Sequence, residues 1–210
     1  MEPIAKSGYY YSNKIARIAL ITLEEVAGKN GLKVILKTAG LPGLIDNLPP
    51  DNLNLEFDFA DFSALNGALE EMYGLRGGRV LALRAGRACF REFFHNFGDA
   101  EAASRLLAAE IPLVDKMREG MPAMMKIFNE TSDQHISIEE TDDHFTCLIQ
   151  HCPVCYGRHT DKPACSMAVG LIQGSLNWIS SGKEFNVVQT SAKSVGDESC
   201  DFVIPKEPNG

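Results

Sequence analysis

The chain has 210 residues, of which 45% are hydrophobic and 23% are charged, and its formal net charge at neutral pH is -8. This composition is typical of a globular protein that is long enough to form one sizeable core, with one or two domains. The acidic balance argues against binding to the phosphate backbone of a nucleic acid.

The N-terminal residues 1–14 are polar and lack the apolar run of a signal peptide. The longest apolar stretch, residues 15–27, contains Arg17, Glu24 and Glu25, and it is shorter than the roughly 20 residues that a membrane-spanning helix needs. We therefore expect a cytoplasmic protein without a membrane span. In that compartment cysteines are more often thiols or metal ligands than disulfides.

The first quarter of the chain is predicted to be mostly helical. Apolar residues at helical spacing predict a helix over residues 12–29, ended by Gly31, and a short second helix over residues 32–38. Residues 41–58 are rich in proline, asparagine and aspartate, which predicts a loop. A short strand is expected at its end, over residues 54–58.

Three longer helices are predicted next. They run from about residue 58 or 61 to residue 73, from about 77 to 97, and from about 99 to 129. Pro112 and Pro122 should kink or split the third helix. Its methionine-rich apolar face is typical of a protein core, and it would also suit the lining of an adaptable ligand pocket.

After residue 130 the apolar residues alternate instead of following the helical period. This predicts a hairpin of strands over residues 135–140 and 144–150, a helix over 163–180, and strands over 184–191 and 200–204. The expected fold class is α+β: a helical N-terminal half packs on a small antiparallel sheet formed by two C-terminal hairpins around a helix.

Four of the six cysteines lie in the last third of the chain: Cys152, Cys155, Cys165 and Cys200. The two residues between Cys152 and Cys155 let both sulfurs reach one ion from a tight turn. Cys165 lies in the first turn of a predicted helix, where the helix dipole favours a thiolate. We expect the first three of these residues to hold a structural zinc ion, whereas assigning Cys200 needs a fold argument because 34 residues separate it from Cys165.

Other roles for these cysteines remain open. Four thiolates also suit an iron–sulfur cluster, and the Cys152–Cys155 pair alone could act as a redox dithiol. His151 or His159 could replace one cysteine as a ligand. The remaining two cysteines, Cys89 and Cys147, are expected to be plain buried thiols.

The C-terminal half resembles the 4-vinyl reductase domain family. The residues that carry the resemblance are a cysteine opening a helix of small residues at 163–170, then Gly174, and a final Gly-x-x-x-Cys-x-Phe at 196–202. The Arg- and Gly-bearing segment 84–87, followed by Phe90, is similar to an upstream helix of that family. The resemblance implies a fold shared with TRAPP subunits and an apolar pocket for a small hydrophobic molecule, often in a dimer.

The resemblance also implies a metal site with two changed ligands. In the aromatic sensors of the family, zinc is held by cysteines matching Cys165 and Cys200 and by a Glu and a Cys where this chain has Gln189 and Ala192. Neither replacement can act as a carboxylate or thiolate ligand. We therefore expect Cys152 and Cys155 to supply the missing pair.

The favoured function is a sensor-type domain that binds a small apolar or aromatic molecule beside a four-cysteine zinc site. One alternative is a tetrapyrrole vinyl reductase, or an accessory protein of (bacterio)chlorophyll-type biosynthesis; another is an iron–sulfur or dithiol redox protein. Enzymatic activity is less favoured because the chain has no nucleotide-binding motif. The acidic and histidine residues of 135–144 alternate as on a solvated strand face.

The chain is expected to consist of three segments. Residues 1–58 are expected to form a helical dimerisation segment that includes the tyrosines of 9–11, residues 59–204 the ligand-binding domain, and residues 205–210 a disordered tail. The expected partners are the small ligand, a second copy in a homodimer and a signalling protein. Binding to nucleic acid is not expected.

Overall fold

The computed structural model describes residues 3–108 and 110–209. Its helices and strands follow in the order β1 (Tyr10–Ser12), α1 (Asn13–Thr38), β2 (Leu55–Asp58), α2 (Phe59–Phe97), α3 (Ala100–Leu107), α4 (Leu113–Thr131), β3 (Ile136–Glu140), β4 (His144–Ile149), α5 (Ser166–Ile179), β5 (Val188–Ser191) and β6 (Cys200–Pro205). Helices dominate the first 131 residues, and β3 to β6 lie in the rest together with α5. The predicted α+β class is confirmed.

The C-terminal strands form one antiparallel sheet in the order β3-β4-β6-β5. Buried and partly exposed residues alternate along β4 and β6, so the sheet has a core face and an outer face. On the core face, Cys147 lies opposite Phe202 and Ile149 opposite Cys200. The sheet therefore comes from the two predicted hairpins, with α5 between them in sequence.

Two long helices are interrupted at glycines. α1 bends at Gly28 (φ 76°, ψ 161°) and α2 at Gly74 (φ 72°, ψ 163°), in a backbone region that essentially only glycine occupies. The first break was predicted at Gly31, which is wrong by three residues. Gly31 keeps a helical backbone, whereas Gly28 has the positive φ.

The third predicted helix is two helices. α3 ends at Leu107 and α4 begins at Leu113, with Pro112 as its N-cap residue. Pro122 lies inside α4, which continues to Thr131. Pro112 is compatible with the start of α4, because the N–H that proline lacks would have no partner there.

The N-terminal strand β1 was not predicted. Tyr10–Ser12 pairs with Leu55–Asp58 in a two-stranded antiparallel ribbon. A strand of three residues carries little periodicity of its own. Its partner lies more than 40 residues away along the chain, so the pairing leaves no local signal.

Close packing of α2 on α5 joins the two halves of the chain. A Cβ atom on Gly170 would overlap the carbonyl oxygen of Leu83, and one on Gly86 would overlap the carbonyl oxygen of Met167. The small residues of α5 therefore serve chiefly a tight helix crossing. One buried cluster contains residues from α1, α2, α4, α5 and the sheet.

Among the described residues, not one helix combines the length and the apolar character that crossing a membrane requires.

Candidate functional site

The four cysteines of the C-terminal third lie together in the core. Their sulfur atoms are all within 4.8 Å of one another. Cys155 Sγ lies 2.9 Å from Cys165 Sγ and 3.5 Å from Cys200 Sγ, and Cys152 Sγ lies 3.5 Å from Cys165 Sγ. Four thiolates about 2.3 Å from one ion would be about 3.8 Å apart, so the cluster has nearly the dimensions of a tetrahedral metal site.

Three separate segments bring these cysteines together. Cys152 and Cys155 lie in the loop after β4, Cys165 is the N-cap residue of α5, and Cys200 begins β6. Because Ile149 at the end of β4 pairs with Cys200, the loop that leaves β4 starts beside that cysteine. All four side chains are buried.

The loop that contains Cys152 and Cys155 is anchored to α2. The Ser63 hydroxyl donates a hydrogen bond to the carbonyl oxygen of Val154 at 3.2 Å, and Arg158 Nη1 donates to the same oxygen at 3.3 Å. Arg158 also forms a 2.6 Å ion pair with Glu70 of α2. These contacts fix the backbone between the two cysteines.

Two residues near β5 support the other half of the cluster. The backbone N–H of Cys165 donates to Oε1 of Gln189 at 2.9 Å, and the backbone N–H of Lys193 donates to Cys200 Sγ at 3.4 Å. Gln189 thus orients the chain at Cys165 instead of contributing a carboxylate. No sequence pattern indicated the supporting roles of Ser63, Glu70 or Lys193, because each role depends on tertiary contacts.

Hydrogen bonds among the thiols make their acidities unequal. The thiols of Cys152, Cys165 and Cys200 stabilise the thiolate of Cys155, so its pKa lies well below that of an ordinary cysteine. The pKa of Cys152 is raised because its proton is shared with Cys155, and burial adds to the shift. A buried thiolate of this kind attracts a cation, and binding one would release the remaining protons.

Neither histidine near the loop belongs to the cluster. His151 Nδ1 lies 2.8 Å from the carbonyl oxygen of Asp133, and its ring stacks on Tyr9 at 4.1 Å between centroids. His159 is exposed. Over residues 3–108 and 110–209, the group able to hold a metal ion consists of the four cysteines.

Cys89 and Cys147 lie outside the cluster as buried thiols. Burial raises the pKa of each to about 12. The sulfur of Cys89 lies 2.8 Å from the hydroxyl of Thr22. Both thiols therefore stay protonated at neutral pH.

An apolar cavity of about 80 Å³ lies between the helices and the core face of the sheet. Phe62 of α2, Met125 of α4 and Ile172 of α5 are among its lining residues. Ala168 also lines it, so this small residue of α5 contributes space to the cavity. Charged side chains and histidines are absent from the lining within the described parts of the chain.

The cavity and the cysteine cluster share one segment. Cys152, Pro153 and Val154 line the cavity, and Cys152 Sγ is also part of the cluster. A change in the cluster that moves the Cys152 backbone would therefore change the shape of the cavity.

Comparison with known sequences gives no match: no family model fits the chain, and no curated protein resembles it. Solved structures do share its fold. A mutant H-NOX (heme nitric oxide/oxygen binding) protein from T. tengcongensis has a TM-score of 0.56 at 16% identity and covers 90% of this chain and 94% of its own.

Two further H-NOX structures show the same likeness. The Fe(II) unliganded protein from K. algicida has a TM-score of 0.55 at 15% identity and covers 94% of this chain and 97% of its own. The protein from S. oneidensis, in the Fe(II)NO ligation state, has a TM-score of 0.52 at 12% identity and covers 92% of this chain and 99% of its own.

The likeness to these structures shows that the identification of this chain as a 4-vinyl reductase domain was wrong. The glycines and small residues that suggested it serve the α2–α5 crossing, and Cys165 and Cys200 serve the thiol cluster. Neither feature is specific to one family. The vinyl reductase alternative depended on that identification and is therefore not supported either.

The cofactor prediction is corrected as well. We expected a structural zinc ion, with an iron–sulfur cluster as the alternative, whereas the solved structures that share this fold belong to a family of heme proteins, one of them in the Fe(II) unliganded state. None of these neighbours points to zinc. The comparisons establish that this chain has the fold of the H-NOX domains.

Proposed function

We propose that the chain is a sensor-type domain that binds a small molecule in the 80 Å³ cavity. The observation that carries this proposal is the shared position of Cys152, which both lines the cavity and belongs to the cysteine cluster. The fold supports it, because one H-NOX structure is of the Fe(II)NO ligation state and another concerns the mechanism of H-NOX activation.

The second part of the proposal is that Cys152, Cys155, Cys165 and Cys200 bind one thiophilic metal ion. Four protein thiolates fill a tetrahedral coordination shell and leave no open position for a substrate. The ion would therefore act structurally, by joining the loop after β4 to α5 and β6.

A bound ion would stabilise one side of the cavity. The turn from Cys152 to Cys155 has no helix or strand of its own, so its conformation depends on its anchors. Fixing two sulfurs of this turn to one ion would restrict Pro153 and Val154, which face the cavity. Occupancy of the cavity and of the cluster should then influence each other.

An anaerobic titration with Co²⁺ as the optical probe tests the metal site. The native chain should bind one Co²⁺ with the visible absorption of tetrahedral thiolate coordination. Cys152→Ser and Cys200→Ser should each lower the Co²⁺ affinity about tenfold or more, because each removes a direct ligand. The matched control is Cys147→Ala, which removes a buried thiol outside the cluster.

Two outcomes would contradict the metal site. One is a Cys152→Ser chain that keeps the native affinity and spectrum, and the other is a native chain that shows no saturable Co²⁺ absorption. Elemental analysis of the purified chain would identify the natural ion.

A further inference from the structure

If the proposed function is correct, the chemical class of the ligand can be defined more narrowly. Heme is the group studied in H-NOX structures that share the fold. A cavity that binds heme must provide space and partners for it. A heme is a large flat macrocycle with two carboxylates and an iron atom that needs an axial ligand.

The cavity does not meet the requirements for size and for cationic partners of the two carboxylates. Its volume of about 80 Å³ is far below the roughly 300–1,000 Å³ of pockets for larger ligands. No lysine, arginine or histidine among the described lining residues could pair with the carboxylates or bind the iron through an imidazole. The thiols of Cys89 and Cys147 line the cavity, but they are protonated, whereas heme iron is bound by a cysteine thiolate.

Two polar side chains stand out in the otherwise apolar lining. Tyr11 is 5% exposed and Gln134 is 4% exposed. The Gln134 side-chain amide makes one long hydrogen bond, 3.5 Å from the hydroxyl of Ser132. Within the described parts of the chain, the hydroxyl of Tyr11 has no hydrogen-bond partner.

Both groups are held in place by the fold. The ring of Tyr11 packs against Phe59 and Phe62, with centroids 5.0 Å apart in each pair. The backbone carbonyl of Gln134 accepts a hydrogen bond from the N–H of His151 at 2.9 Å. Buried polar groups are nearly always paired, so two fixed and incompletely paired groups at one cavity indicate a ligand that completes them.

We infer that the cavity binds a compact, uncharged and mostly apolar molecule with one hydrogen-bonding group, held by Tyr11 and Gln134, in place of heme. An engineered cavity of about 150 Å³ accepts benzene, so a five- or six-membered ring needs more room than this cavity alone provides. Met124 and Phe93 also line a neighbouring apolar cavity of about 160 Å³. A rotation of the flexible Met124 side chain would add room for a somewhat larger ligand.

The matched probes cyclopentanone and cyclopentane test this inference, because they share a shape and differ by one carbonyl oxygen. Calorimetric titration should show tighter binding of the ketone. Tyr11→Phe and Gln134→Met should each lower the ketone affinity about three- to tenfold, which corresponds to one hydrogen bond. Cyclopentane affinity should stay the same in both variants, which also shows that they remain folded.

Tyr10→Phe provides the control for the hydroxyl deletion. Tyr10 is the neighbouring residue of β1 and does not line the cavity, so this variant should bind the ketone as the native chain does. Equal ketone affinity in the native chain, Tyr11→Phe and Gln134→Met would overturn the inference.

Titration with hemin, followed by absorption spectroscopy, separates failure of the inference from failure of the proposed function. We expect no saturable uptake of hemin. Stoichiometric uptake that cyclopentanone displaces would overturn the inferred ligand class and leave a sensor domain at this cavity. If cyclopentanone, cyclopentane and hemin all fail to bind, the inference and the proposed function fail together.

Discussion

At Gly170, α5 approaches α2 so closely that a side chain has no space. We expect Gly170→Ala to destabilise the protein by about 1–3 kcal/mol or more, because the added Cβ overlaps the backbone of Leu83 and forces the helices apart. Urea denaturation measures the change in the free energy of unfolding. The control is Gly43→Ala, since no atom lies within 4 Å of a Cβ built there; equal stability of the two variants would contradict the account.

Individual site residues differed in how far the sequence could predict them. The spacing of Cys152 and Cys155 is a local signal, and Cys165 follows close behind. Cys200 was grouped with them only through a family resemblance that was wrong, whereas the structure places it there by its pairing with Ile149, which depends on the whole sheet. Tyr11 was predicted only as one of the tyrosines of a dimerisation segment and Gln134 was not predicted, because only the tertiary structure places them at the cavity.

At the scale of elements, the ion pair between Glu70 and Arg158 joins α2 to the cysteine loop. The two side chains are 12% and 9% exposed, and Arg158 also binds the carbonyl oxygen of Val154. We expect Glu70→Gln to lower the Co²⁺ affinity about tenfold, because residues that orient metal ligands typically contribute this much. An anaerobic optical titration with Co²⁺ measures the effect.

A matched control for this variant is Glu130→Gln. Glu130 pairs with Lys126 on the exposed face of α4, with both side chains more than half exposed. It should leave the Co²⁺ affinity unchanged, since exposed ion pairs contribute little. Native affinity in the Glu70→Gln chain would show that the anchor does not position the cluster.

Element types were predictable, whereas their limits and pairings were less so. Helical spacing identified α1, α2 and α4, and alternation identified the β3–β4 hairpin. The first helix break was misplaced because Gly28 and Gly31 are equivalent in a local pattern, and only the backbone geometry distinguishes them. β1 was missed because its pairing with β2 is formed by distant parts of the chain.

For the whole molecule, Glu140 makes stability depend on pH. Arg118 of α4, and to a smaller extent Lys206 after β6, lower the pKa of Glu140 from 4.5 to about 2. A lowered folded-state pKa stabilises the fold above the unfolded pKa, and this contribution is lost as the pH falls from about 4.5 towards 2. Glu140→Gln should therefore weaken the dependence of the melting temperature on pH in this window.

The control for this prediction is Glu139→Gln on the same strand. Successive strand residues point to opposite faces, so Glu139 lies away from the Arg118 contact. This variant should keep the native pH dependence of the melting temperature. An unchanged pH profile in Glu140→Gln would mean that the contact between α4 and the sheet does not contribute to stability.

Fold and ligand chemistry are separable in this molecule. The chain has the fold of H-NOX domains at 12–16% identity, yet its cavity is small and has no histidine, lysine or arginine in its described lining. Overall architecture follows from the order and packing of elements, whereas the ligand follows from a few lining side chains. Homodimerisation and a signalling partner stay predictions.

The measurement that tests the central claim most directly is the affinity for cyclopentanone with and without bound Co²⁺. Because Cys152 belongs to both sites, the metal-loaded chain should bind the ketone about fivefold more tightly or better, within the usual range of coupling between sites. Equal affinity in the two states would contradict the account, since it would show that the cysteine cluster and the cavity act independently.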